Sequence, residues 1–156
     1  MRGAATAAVL CLASLPALAQ QVTLRGTDGR EVVVTASELA AMPHASLRLG
    51  GHDPAVYEGV PLGALLGKVG APQGQALRGP AFSLAVVVRA RDGYVSTLAL
   101  AETDAGMREG GVILADRRAD GPLKPEEAPF RLVIGGDKRP GRSARMVERV
   151  ELRDLR

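Results

Sequence analysis

Short apolar runs broken by Gly, Pro and Asp dominate the chain, a pattern that predicts many brief strands and few helices. Val22 to Arg25 and Glu31 to Thr35 flank Gly26-Thr-Asp-Gly29 and read as a first hairpin. Thr35 or Ser37 supplies the oxygen to cap a short helix through Met42, which Pro43 closes. Ser46 to Leu49 alternates like a strand and ends at Gly50-Gly51. Pro61 suits the first turn of a helix whose apolar face is Leu62, Leu65, Leu66 and Val69, with Gly70 as its stop. Gly74 to Pro80 reads as loop. Phe82 to Ala90 and Val95 to Leu100 then form the best hairpin, because Asp92-Gly93 supplies the positive φ that a tight turn needs. A helical turn over Glu102 to Met107 follows, with strands at Val112 to Ala115, Phe130 to Ile134 and Met146 to Leu152. Asp120-Gly121-Pro122 turns between two of these. Gly135 to Gly141 is a glycine-bearing loop with Lys138 and Arg139 on it. The order of elements predicts an α+β, β-rich mixed single domain.

The first residues follow another pattern. Arg2 precedes an apolar run from Ala4 to Leu15, and Pro16 separates it from Ala17-Leu18-Ala19. A positive start, a short apolar core and a small-x-small site are the layout of a secretory signal peptide. The expectation is a leader over 1–19, cleavage near Ala19, and a periplasmic or secreted domain over 20–156. No other stretch is long and apolar enough to span a bilayer.

Composition narrows the chemistry. Cys11 is the one cysteine and lies in the leader, so the mature domain has no disulfide and no thiolate for catalysis or metal binding. The formal charge is +3, with two Tyr, two Phe and no Trp. Nucleic-acid binders pair a basic stripe with stacking aromatics or a reading helix, and neither is present. No Ser sits in a Gly-x-Ser-x-Gly setting, and Gly135-Gly-Asp-Lys138 lacks the spacing of a phosphate-binding P-loop. His44 and His52, with Asp53, Tyr57 and Glu58 nearby, offer the donors of a zinc or copper carrier site, but their spacing matches no helix or hairpin ligand pattern and reads better as loop or surface histidines, so no metal site is assigned. Lys138, Arg139, Arg142 and Arg145 cluster beside Gly135-Gly136. Fixed cations on a glycine-rich backbone suit phosphate or carboxylate. A solvated basic loop accounts for them equally well. Tyr94 follows the Asp92-Gly93 turn, either facing a cleft or lying as a lid on the sheet.

Four segments in order carry a family likeness: Tyr57-Glu-Gly-Val-Pro-Leu62, Val87 through Tyr94, Gly121-Pro-Leu123 leading to Pro129-Phe-Arg-Leu-Val133, and Gly136-Asp-Lys138 leading through Arg142 to Leu152. From about Val22 onward the chain resembles the molybdopterin-binding domain of the sulfite oxidase superfamily, in particular its short exported bacterial members. The resemblance implies a pterin-dithiolene molybdenum centre ligated by a protein cysteine. It also implies that cations near Lys138 to Arg145 help to hold the pterin phosphate, which makes Tyr94, Lys138, Arg139, Arg142 and Arg145 the candidate cofactor-binding set. The cysteine position falls at Leu47-Arg48-Leu49, where no soft sulfur is offered. The leader also lacks the Arg-Arg pair of the twin-arginine route by which such enzymes are exported already loaded. Both departures disfavour bound molybdopterin. They favour a non-catalytic binding or accessory module for a small anionic ligand, or for a partner protein of a periplasmic redox or signalling system. The competing reading is a molybdopterin-dependent oxidoreductase with a substituted metal ligand.

Overall fold

A computed structural model describes residues 20–51 and 55–156; the leader segment, His52 and Asp53 lie outside the described residues. The described residues form an α+β domain of two sheets with two short helices. In sheet A, β2 (Glu31–Thr35), β1 (Gln21–Arg25), β10 (Val147–Asp154), β5 (Leu84–Ala90) and β6 (Val95–Ala99) lie side by side. β1 and β10 run parallel, and the other neighbours are antiparallel. Sheet B orders β3 (Ala45–Arg48), β4 (Val56–Pro61), β7 (Val112–Arg118) and β8 (Gly121–Pro122). β9 (Arg131–Ile134) also pairs with the first half of β7.

Alternating side chains explain the burial. From sheet A, Val22, Leu24, Val86, Val88, Val150 and Leu152 enter one apolar cluster. Sheet B adds Val60, Val112, Leu114, Leu132 and Ile134 to it. The same strands of sheet B send Tyr57, Ile113, Ala115 and Val133 to a second, smaller cluster on the opposite face. Sheet B is therefore buried on both faces. That is why Val112 to Ala115 of β7 and Leu132 to Ile134 of β9 are uninterrupted in apolar character rather than half polar.

α1 (Ala36–Ala40) and α2 (Leu62–Gly67) close the main core with Leu39, Leu62, Leu65 and Leu66. Of the two caps that the sequence allowed, Thr35 is the one used. Its Oγ1 accepts from the Glu38 backbone N–H at 3.3 Å, and Glu38 Oε2 accepts from the Thr35 N–H at 2.8 Å. Thr35→Ala should cost about 0.5–2 kcal/mol. A urea midpoint displaced downward at constant slope is the check; an unmoved midpoint would mean that packing alone holds α1.

Several elements differ from the sequence reading. Pro61, expected in the first turn of a helix, instead ends strand β4 and caps α2, and Gly59 sits at a bulge within that strand. Phe82 belongs to a 3₁₀ turn over Gly79–Ser83, and the turn expected at Glu102 to Met107 is a 3₁₀ turn at Leu100–Thr103. No helix among the described residues is long and apolar enough to cross a membrane.

Candidate functional site

β9 and β10 are joined by residues 135–146, which lie beside the β5–β6 hairpin turn. A cleft of about 250 Å³ opens between them, lined by Asp92, Tyr94, Arg131, Pro140, Gly141, Ser143, Ala144 and Arg145. The two walls are stitched together. Tyr94 Oη donates to the Gly141 carbonyl, and Ser96 Oγ donates to the Arg142 carbonyl at 2.8 Å. The Arg91 N–H reaches the Met146 carbonyl at 2.9 Å. Met146 holds φ +50°, a left-handed conformation uncommon for a residue with a side chain. That kink turns the chain from Arg145 at the cleft into β10.

Of the five residues that the sequence brought forward, Tyr94 and Arg145 line the cleft together. Tyr94 is half exposed and bridges the mouth, so its ring is both a lid and a wall. Lys138 and Arg139 are exposed on the approach to Pro140 and do not line the cleft. No described residue pairs with Lys138, Arg139 or Arg145.

Arg142 is placed differently. Its Nη2 and Nε donate to the two Asp137 oxygens at 2.8 and 3.0 Å, and Nη1 donates to Glu102 at 3.1 Å. The Asp137 bond, with Glu102 beside it, raises its pKa further against the opposing effect of burial. Arg108 completes the clamp, donating to the Gly135 carbonyl at 2.6 Å and standing 3.5 Å from Glu102. With its donors consumed in this way, Arg142 orders the loop rather than facing the cleft.

The sequence reading passed over the residue beneath the cleft. Arg131 is 3 % exposed, in a strand otherwise apolar. Its Nη1 donates to Tyr57 Oη at 2.7 Å and pairs closely with Glu127, while its guanidinium lies 4.8 Å over the Tyr57 ring. Tyr57 Oη donates in turn to Glu127 Oε1 at 2.7 Å. Burial, with the bond to Glu127, pushes the Tyr57 hydroxyl up to about 12, so it stays a neutral donor. Burial works to raise the Glu127 carboxyl too. The bonds from Tyr57 and the Lys124 N–H, together with Arg131, outweigh it and hold the group below its ordinary value. Arg131 Nε has no partner among the described residues. A charged residue inside an apolar strand was the one available signal for this cluster.

The resemblance implied a thiolate at the end of β3. Leu47 there packs toward Gly111, Arg48 is exposed, and Leu49 is buried in the second apolar cluster. Hydrocarbon and guanidinium groups do not fit a molybdenum centre that needs a protein sulfur. His44, the one described histidine, is also committed. Its Nδ1 donates to the Met42 carbonyl at 2.7 Å, and Nε2 lies 3.0 Å from Asp116 Oδ1.

No protein-family model matches the chain, and no curated protein matches it significantly. Among solved structures, the sulfane dehydrogenase SoxCD from Paracoccus pantotrophus superposes with a TM-score of 0.63 at 19% identity. The fold is shared. The likeness covers 86% of this chain and 38% of the SoxCD chain, so this protein spans well under half of that neighbour's length. At this identity the agreement concerns the scaffold alone.

Proposed function

We propose that this protein is an exported, non-catalytic binding module that takes a small anion in the cleft between Tyr94 and Arg145. The observation that carries the reading is the pair of guanidiniums lining one cleft. Among the described residues Arg145 has no carboxylate partner, and the buried Arg131 adds its charge to the lining. Two guanidinium charges at one cleft attract an anion, and the exposed Arg145 has donors available for its oxygens. The one carboxylate of the lining, Asp92, is held by the Tyr94 N–H at 2.9 Å. A cleft of about 250 Å³ falls below the span of roughly 300–1,000 Å³ usual for larger organic ligands. A phosphate, a sulfur oxyanion, a small organic acid, or the phosphate end of a pterin matches it. Lys138 and Arg139 then form a cationic approach that steers the ligand in. The leader-like segment supports delivery to the periplasm, where the ligand or a redox or signalling partner is met.

Calorimetric titration of the purified protein with inorganic phosphate and with sulfate tests this. Saturable binding that weakens with salt is expected, and Arg145→Ala should weaken it about tenfold or more while leaving the melting temperature unchanged. Arg142→Ala is the contrasting variant, because removing the clamp lowers stability as well. Absence of binding by either anion would end the proposal. Near-stoichiometric molybdenum and pterin in protein recovered from the periplasm would instead establish a molybdopterin-dependent oxidoreductase.

A further inference from the structure

The cleft between the β5–β6 turn and the 135–146 connection carries charge of both signs. Arg145 lines it from the connection, and Asp92 lines it from the turn. Both side chains belong to exposed residues. Neither forms an ion pair with any described residue. They do not pair with each other either, so more than 4.0 Å separates the carboxylate oxygens from the guanidinium nitrogens. The other charge of the lining, Arg131, is buried and paired with Glu127. Arg91, Lys138 and Arg139 lie outside the lining. An uncommitted cation therefore stands on one wall and an uncommitted anion on the other.

Asp92 keeps acceptor capacity. Its Oδ1 takes the Tyr94 N–H at 2.9 Å, a usual bond for an aspartate at a turn, and Oδ2 has no partner among the described residues. The turn needs that one bond, and asparagine supplies it as well. The Tyr94 ring lines the same wall, and aromatic faces attract ammonium groups. The turn thus has the chemistry of a cation subsite, facing an anion subsite at Arg145. A bare inorganic anion satisfies Arg145 and is repelled by Asp92. In a space of about 250 Å³, the two complementary charges of an occupant belong to one small molecule.

We propose that the ligand of this cleft is a small zwitterion, an oxyanion joined through a short carbon spacer to an ammonium group, with the oxyanion on Arg145 and the ammonium on Asp92. The inference rests on the reading of the cleft as an anion site and supplies the other half of the ligand. Paired subsites of opposite sign select more than they attract. An anion without the amine meets Asp92 as a like charge, and an amine without the anion meets Arg145 as one.

Titration with sulfate, ethanesulfonate and 2-aminoethanesulfonate tests it, because the last two differ only by the ammonium. The wild type should bind 2-aminoethanesulfonate about tenfold more tightly than ethanesulfonate. Asp92→Asn keeps the turn bond and removes the charge. It should weaken 2-aminoethanesulfonate about tenfold and tighten ethanesulfonate, so that the preference disappears. A variant that merely disturbs the turn weakens both ligands together. Equal binding of the two sulfonates by the wild type, or parallel weakening of both in Asp92→Asn, would overturn the proposal, while sulfate binding would leave the anion reading standing. Failure of all three to bind would remove both.

Discussion

Arg131→Met should destabilise the protein by about 3–5 kcal/mol, the usual consequence of stripping one partner from a buried ion pair. The variant leaves Glu127, 3 % exposed, facing Tyr57 Oη with no cation beside it. Methionine fills much of the vacated volume, so the loss isolates charge and hydrogen bonding from packing. Urea denaturation measures it, and a loss under 1 kcal/mol would mean that Glu127 takes up a proton at little expense. Adding Glu127→Gln should recover much of the stability, since the carboxylate left behind causes most of the damage. The acid side offers an independent check. Because Glu127 sits below its ordinary value in the folded state, its contribution is complete above the ordinary carboxylate range. It is lost as the pH falls through the lowered folded value. Arg131→Met should therefore flatten the acid limb of the stability curve.

Gly59→Ala is expected to cost more than about 4 kcal/mol, and to leave little folded protein if the domain has ordinary stability. β4 shifts register against β7 between Glu58 and Gly59, and the bulge brings the backbones together. A Cβ on Gly59 would stand 2.2 Å from the Leu114 carbonyl oxygen and 2.4 Å from the Ala115 Cα. Both are backbone atoms of a strand buried on two faces, so no side-chain rotation relieves the overlap. Tyr57 and Val60 ride on the same strand, and parting β4 from β7 loosens both apolar clusters at once. Gly141→Ala is the matched control, because open space surrounds that position and its stability should hold. Comparable melting temperatures for the two variants would show that the bulge relaxes.

The elements legible in the sequence are those whose cause is local. The β1–β2 and β5–β6 hairpins are signalled by turn residues between apolar runs, and α2 by leucines at helical spacing. β4 was harder, because Gly59 and Pro61 look like breakers until β7 is known to lie against them. The cleft divides in the same way. Tyr94 and Arg145 stand out by composition, as a turn aromatic and a loop cation. Arg131 takes its character from Tyr57, a partner 74 positions away, and Arg142 is bound to Glu102, 40 positions away. Periodicity and spacing do not encode such pairings. The same residue types at Arg142 and Arg145 therefore looked equivalent, although one is spent on the scaffold and the other is available.

β10 lies between the β1–β2 and β5–β6 hairpins and, among the described residues, is what joins them into sheet A. It is also the last strand of the chain, and it docks beside the first in parallel fashion. The connection that precedes it carries Pro140 to Arg145, so the cleft comes into being only when that final strand slots home. Occupancy and closure of the sheet are thus one equilibrium. An anion that prefers the finished cleft must also slow the escape of β10, and amide exchange along Val147 to Asp154 would register the ligand's arrival from inside the sheet.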